Sequence, residues 1–483
     1  MSNLSELLPT GGGQNAVDFV ASGTLSSGQA VALKTDGTVE VISTTPVAGT
    51  PSFGSEVLYN GNIYGSQTVV GYDTTNNKIL ICFTTTGSNG WGIVGTVSGT
   101  SITFGSATQF NTGSFEYGSI AFTPASDKFV IAYKDGSNSS YGTCIVATIS
   151  GTSVSFGSKT IISSATTYFT STVYDPTGGR VWVSYATTGT GIDLKSGTIS
   201  GTTFGVGSAT NISSGFGDSS LVYDTNADKL VTVYRDGTNS NYGTAKVGTI
   251  SGTSISFGSA TVYNSAYSEK AFSAFDSSAN KVVIAYRNAN NGDKGYGIVG
   301  TVSGTSISFG TTVLFNDAVT NDIVAIYDTT YDRIVITYKD GGNGDYGTLI
   351  VGTVSGTSIS FGSEAVFNPG NSNNPYSVYD PDNGVVVIGY SDAGNSSYGT
   401  AIVGAIGSEV SNSADFIGIT AGAISDTATG AVNVYGGINE AQTGLTIGAD
   451  YYVQDDGSIS TTSSAVKIGQ AISATTINMM DLT

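Results

Sequence analysis

A Ser-Gly-Thr turn that returns every 50–52 residues, four short strand-like runs per interval, and a composition rich in Gly, Ser, Thr and Val predict an all-β repeat protein. The turn glycine falls at Gly99, Gly151, Gly201, Gly252, Gly304 and Gly356. Four antiparallel strands per 50-residue unit is the pattern of one β-propeller blade. The runs are short, β-branched and punctuated by glycine, which excludes a helical repeat.

One unit shows the elements in order. "AFSAFD" (271–276) is followed by "KVVIAYR" (281–287), "GYGIVGTVSG" (295–304) and "TSISFGTTVLFN" (305–316). Asp-, Asn-, Ser- and Gly-rich turns separate them. The second run is the most regular and occurs seven times, beginning at "KILICFT" (78–84) and ending at "VVVIGYS" (385–391). The fourth run, marked by Phe-Gly, follows only six of the turns. Its missing copy is "GTPSFGSEVLYN" (49–60), near the other end of the chain. The prediction is therefore a seven-bladed, four-stranded propeller over 49–406. Residues 49–60 would supply the fourth strand of the blade formed by 375–406, which removes the free edges.

The flanks read as one small β domain split between the termini, 1–48 and 407–483. Runs such as "VDFVASG", "GQAVALKTDGTVEVIS", "ADFIGIT" and "SSAVKIGQAIS" are strand-like. Neither flank alone buries enough apolar surface for a stable core, but together they make an ordinary domain. In a blade, the second-to-third and fourth-to-next-first connections share one face, opposite the Ser-Gly-Thr turns. That face carries the least regular segments, among them "NTGSFEYGS", "YNSAYSEKAF", "NDAVTNDIV" and "NPGNSNNPYS", and binding surfaces concentrate on variable loops over a rigid scaffold.

Composition removes several function classes. The 17 basic and 36 acidic residues give a net charge of −19, which repels phosphate backbones and anionic membranes, so no nucleic-acid partner is expected. The absence of histidine removes the commonest general base and zinc ligand. Cys82 and Cys144 lie in apolar runs and read as buried hydrophobes. No apolar stretch approaches membrane-spanning length and the start lacks the pattern of a signal peptide, which predicts synthesis in the cytoplasm without membrane insertion.

Two polar motifs recur. Asp73, Asp175, Asp224, Asp276, Asp328 and Asp380 follow the first run and read as turn formers whose carboxylates bind the backbone two residues on. On the irregular face, "DGSNSSYG", "DGTNSNYG", "DGGNGDYG" and "DAGNSSYG" place Asp135 with Asn138, Asp236 with Asn239, Asp340 with Asn343, and Asp392 with Asn395. Such oxygen-rich loops are candidates for Ca²⁺ or direct ligand contact, although each has few carboxylates and lacks the EF-hand spacing. No other metal and no organic cofactor is implied. Phe115, Tyr117, Tyr267 and Tyr376 in the neighbouring loops are candidates for stacking on sugar rings. There is no P-loop, no G-x-S-x-G, no sialidase-type S-x-D-x-G-x-x-W box, and no obvious partner for loop acids such as Glu116 and Glu269. The expectation is a non-enzymatic protein.

The flanks also carry a resemblance. "MSNLSELLPTGGGQNAVDFVASGTLSSGQAVALKTDGTVEVIS" and "GLTIGADYYVQDDGSISTTSSAVKIGQAIS" resemble segments of tailed-bacteriophage virion proteins, especially tail-fibre-like and structural proteins of marine phages that infect cyanobacteria and their neighbours. Repeats such as "SGTSISFGSATVYN" resemble the distal modules those proteins carry. The resemblance implies a virion protein that joins other virion proteins, or copies of itself, through 1–48 and 407–483. It also implies a displayed propeller that binds a host-surface polysaccharide or receptor. Capsid decoration (a head fibre) and a glycan depolymerase are the rival roles.

Overall fold

The computed structural model describes residues 15–480, so the parts of the flanks at 1–14 and 481–483 lie outside it. The chain is all-β and forms several antiparallel sheets. It divides into two compact units, one of residues 48–407 and one of residues 1–47 with 408–483.

In the larger unit the four-run pattern becomes four-strand groups. Lys128–Asp135 pairs with Phe115–Thr123 on one side and Tyr141–Ser150 on the other; the latter pairs outward with Ser153–Phe156 and with the start of Thr160–Asp175. The same arrangement surrounds Lys78–Thr85, Arg180–Thr187, Lys229–Asp236, Lys281–Asn288, Arg333–Asp340 and Val385–Asp392. Beyond Val385–Asp392 and Tyr398–Ser411, the outer partner is Val57–Asp73, with Ala401 opposite Val57 and Thr400 opposite Leu58.

The second strands explain the apolar runs that mark them. Phe129 to Tyr133 are all buried, because both faces of the strand pack against neighbouring sheets. One core joins Leu80, Cys82 and Val94 of one group to Phe115, Phe129, Ile131 and Tyr133 of the next. Cys82 and Cys144 are free and buried, and burial pushes both thiol pKa values upward.

Two local features differ from expectation. The fourth run is two short strands, such as Ser101–Phe104 and Thr108–Asn111, separated at the Phe-Gly. Phe104 faces Gly95 and Thr108 faces Gly92, so one extra residue bulges out of the ladder. Several segments expected as irregular loops are strand instead. "YNSAYSEKAF" lies inside Thr261–Asp276 and "NPGNSNNPYS" inside Ala365–Asp380. The chain stays extended there because it changes partners without turning: Tyr267 faces Tyr242 of one group, and Ser268 faces Asn288 of the next.

In the smaller unit, one sheet runs in the order Ala16–Val20, Thr429–Val434, Phe416–Thr420, Ala30–Leu33, Val39–Val41, and so draws on both ends of the chain. A second sheet is built from 438–478 alone. Ala30, Ala32, Ile42, Phe416 and Ile419 share a core with Tyr451, Val453, Ile468, Ile477 and Met479. No helix of the described residues is long and apolar enough to cross a membrane.

Candidate binding site

The oxygen-rich loops use their aspartates to build turns. Asp135 is fully buried; its carboxylate accepts bonds from the Ser137 N–H at 2.9 Å and from Lys159 Nζ at 2.9 Å. Burial pushes its pKa upward, but the Lys159 and Ser137 bonds outweigh that and hold it below the ordinary carboxylate value. Asp236 accepts from the Thr238 N–H at 3.0 Å, Asp340 from the Gly342 N–H at 2.9 Å, and Asp392 from the Asn395 N–H at 3.2 Å. The paired asparagines act through their backbones. Asn138 and Asn239 donate N–H to the carbonyls of Asp135 and Asp236, while Asn343 and Asn395 end single 3-10 turns. Among the described residues no group of three or more His, Cys, Asp or Glu side chains is arranged to hold a metal. The other aspartate series behaves alike: Asp73, Asp224, Asp328 and Asp380 each accept two backbone N–H bonds, and Asp175 and Asp276 one each.

The loop aromatics separate into different roles. Phe115 is fully buried and packs against Phe110 and Tyr133, so it is a core residue. Tyr117 clusters with Tyr168 and Phe169, and Lys134 Nζ lies 5.6 Å and 5.4 Å from the ring centres of Tyr117 and Tyr168. Tyr267 lies under the Arg235 guanidinium, 5.4 Å from its ring centre, and its hydroxyl accepts from Arg235 Nη1. Tyr376 turns inward against Phe272, with 5.9 Å between ring centres, and burial raises its hydroxyl pKa.

The acids beside these rings are paired with cations. Glu116 accepts from Lys134 at 2.8 Å and Glu269 pairs with Arg287. Partial burial pushes both carboxyls upward, yet the bonds from Lys134 and Ser114, and from Arg287 and Tyr267, leave each below its ordinary value.

Residues at the starts of the first strands line a cavity of about 210 Å³. Tyr117, Phe169, Lys270, Asp322 and Asn374 line it at one shared register, and each has a left-handed backbone, with φ between 48° and 54°. Each sits in a β-bulge, such as those between Glu116 and Ser119 and between Glu269 and Phe272. A bulge re-aims a side chain relative to a regular ladder. Gln67 and Asp218 line the same cavity. Asp218 accepts from Arg235 Nε at 3.0 Å, while its Oδ2 is buried without a hydrogen-bond donor. Lys270 Nζ lies 4.0 Å from Asp322 Oδ1, and Asp322 Oδ2 accepts from the Asn374 N–H at 3.2 Å. A second, more apolar cavity of about 450 Å³ is lined by Tyr72, Phe122, Phe275, Tyr327 and Tyr379, and shares Tyr376 and Phe272 with the first.

Tyr117 and Tyr376, expected as loop aromatics, line the first cavity, whereas Phe169, Asp218, Lys270, Asp322 and Asn374 were not singled out in the sequence. Their signal was present in the repeat. Positions 117, 169, 270, 322 and 374 recur at blade spacing, yet carry a different residue each time.

No known family model matches the chain, and no curated protein is similar to it. Solved structures similar to it include AofleA from Arthrobotrys oligospora, at 10% identity and TM-score 0.43, over 69% of this chain and 94% of that one. The SapL1 lectin in complex with alpha methyl fucoside is similar at 9% identity and TM-score 0.42, over 64% of this chain and 97% of that one. A variant of the Aleuria aurantia lectin AAL, in complex with Fucalpha1-6GlcNAc, is similar at 12% identity and TM-score 0.39, over 63% of this chain and 97% of that one.

Proposed function

We propose that the protein is a non-enzymatic component of a phage virion, in which a seven-bladed propeller of residues 49–406 binds a host-surface polysaccharide or receptor. The split β unit of both termini serves as its base, joined to other virion proteins. Strand contacts support the ring. Phe115–Thr123 lies beside Val57–Asp73 and Thr160–Asp175, Ser219–Asp224 beside Thr160–Asp175 and Thr261–Asp276, and Thr320–Asp328 beside Thr261–Asp276 and Ala365–Asp380. Ala365–Asp380 also lies beside Val57–Asp73, which returns the order to its start.

The observation that carries the binding role is the pairing of aromatic rings with cations at the first-strand ends: Lys134 over Tyr117 and Tyr168, and Arg235 over Tyr267. Rings supply flat apolar surface, and the charged groups beside them supply hydrogen bonds, the two things a sugar surface needs. A depolymerase needs a carboxyl held protonated near neutral pH. Glu116 and Glu269, the acids beside the loop aromatics, are held the other way, below their ordinary values, so neither is poised as that acid.

The test is competition. Purified full-length chain added to host cells should block adsorption of the phage particle, and antibody to the chain should label tail tips or fibres in electron micrographs. Label scattered over the capsid without competition would replace host binding with decoration. An unlabelled particle would remove the virion role.

A further inference from the structure

We infer that the cavity lined by Tyr117 and Phe169 is a single-occupancy site for one neutral pyranose ring; this rests on the glycan-binding role proposed above and names the sugar class and the place. The cavity is two-sided. Tyr117 and Phe169 form an aromatic arc, and Lys270, Asp322 and Asn374 form a polar arc from later groups of the chain. A pyranose is two-sided in the same way, with an apolar C–H face and an equatorial rim of hydroxyls. The polar arc sets a donor and an acceptor side by side, with Lys270 Nζ and Asp322 Oδ1 4.0 Å apart, so that adjacent hydroxyls can meet one of each. Asp218 also lines the cavity, with Oδ1 engaged by Arg235 Nε at 3.0 Å and Oδ2 buried.

Charge selects a neutral ring. Lys270 is balanced by Asp322, and Asp218 by Arg235, so neither an acidic nor an amino sugar finds an unanswered counter-charge. Size selects one ring, because about 210 Å³ lies below the volume of sites that enclose drug-sized ligands. Number follows from sequence. Surfaces built on repeated residues would bind several ligands per chain, but the residues at this register differ from copy to copy, so there is one such site.

The experiment uses the full-length chain and the methyl glycosides of glucose, galactose and mannose, with glucuronic acid and glucosamine as charged comparators. Ligand-observed NMR and calorimetry should find a neutral sugar bound with a stoichiometry near one. Phe169→Ala should weaken it by about tenfold or more, the loss expected for a stacked ring. Lys270→Gln, at an exposed side chain whose loss leaves packing intact, should weaken it as well. A stoichiometry of several per chain, a preference for the charged sugars, or unchanged affinity in both variants would overturn the inference. If no sugar binds but the chain still blocks phage adsorption, the site assignment fails while the host-binding role stands. If neither occurs, both fail.

Discussion

Asp135 carries a full charge into the interior, and two neighbours answer it: Lys159 Nζ at 2.9 Å and the Ser137 N–H at 2.9 Å. An asparagine there keeps an amide oxygen for the Ser137 N–H but sets an NH2 donor against Lys159 Nζ, so the buried ion pair is lost. Asp135→Asn is therefore expected to cost about 1–3 kcal/mol, read as a lower urea midpoint. The pH dependence has a definite sign. Asp135, Glu116 and Glu269 have lowered native pKa values, so their stabilisation is complete above the ordinary carboxyl range, about 4, and is lost as pH falls through those lowered values. Burial raises Asp276 and Asp328, and they act in the opposite direction, gaining on protonation. Stability measured from pH 6 down to pH 2 should fall less steeply in Asp135→Asn than in the parent. An equal slope would mean that Asp135 titrates alike in the folded and unfolded chain.

At the scale of elements, the Ser-Gly-Thr glycine and most of the Phe-Gly glycines answer different demands. Gly151, in the Ser-Gly-Thr turn, has φ +60° and open space where a Cβ would stand, so its constraint is conformational. Gly157, in the Phe-Gly, is blocked by a neighbour: a Cβ there would lie 1.8 Å from the Thr202 carbonyl oxygen, in the turn of the next repeat. Gly105 and Gly258 meet Thr152 and Thr305 in the same way. The repeated motif is therefore a contact between units as well as a hairpin. Gly151→Ala should cost about 1 kcal/mol, and Gly157→Ala clearly more, about 1–3 kcal/mol with a shifted backbone. Equal costs in thermal melts would show that the turn packs independently of its neighbour. These elements were legible because each is local: a β-branched run, an Asp-capped turn, or a glycine at fixed spacing. The bulges at Tyr117, Phe169 and Lys270 were not. None of these residue types favours a left-handed φ, and the conformation is imposed where adjoining sheets meet. The candidate site was therefore visible only in part, through Tyr117 and Tyr376 and not through Phe169 or the polar arc.

For the whole larger unit, the decisive question is whether the strand from the N-terminal side is as firmly held as those supplied in sequence. Tyr59 lies on that strand, 6% exposed, with its ring 5.1 Å from Phe83 and 5.8 Å from Phe104. Phe315 is its counterpart in a group supplied without a break, also 6% exposed and packed on Tyr338 and Phe361. A strand recruited across more than 300 positions of sequence pays a larger loop-closure entropy when it pairs, but that cost grows only logarithmically with separation. Burial of the ring grows with contact area and is the same at both sites. Contact should thus prevail over connectivity, so Tyr59→Ala and Phe315→Ala are each expected to lose about 3–5 kcal/mol. The two variants should also melt in one transition with the rest of the unit. A small cost for Tyr59→Ala beside a large one for Phe315→Ala would mean that the closing strand frays. The edge of Tyr398–Ser411 would then open to other chains, and association would rise with protein concentration in sedimentation runs. Equal costs with a monomeric edge would mean that the unit holds this strand by the packing that holds the others.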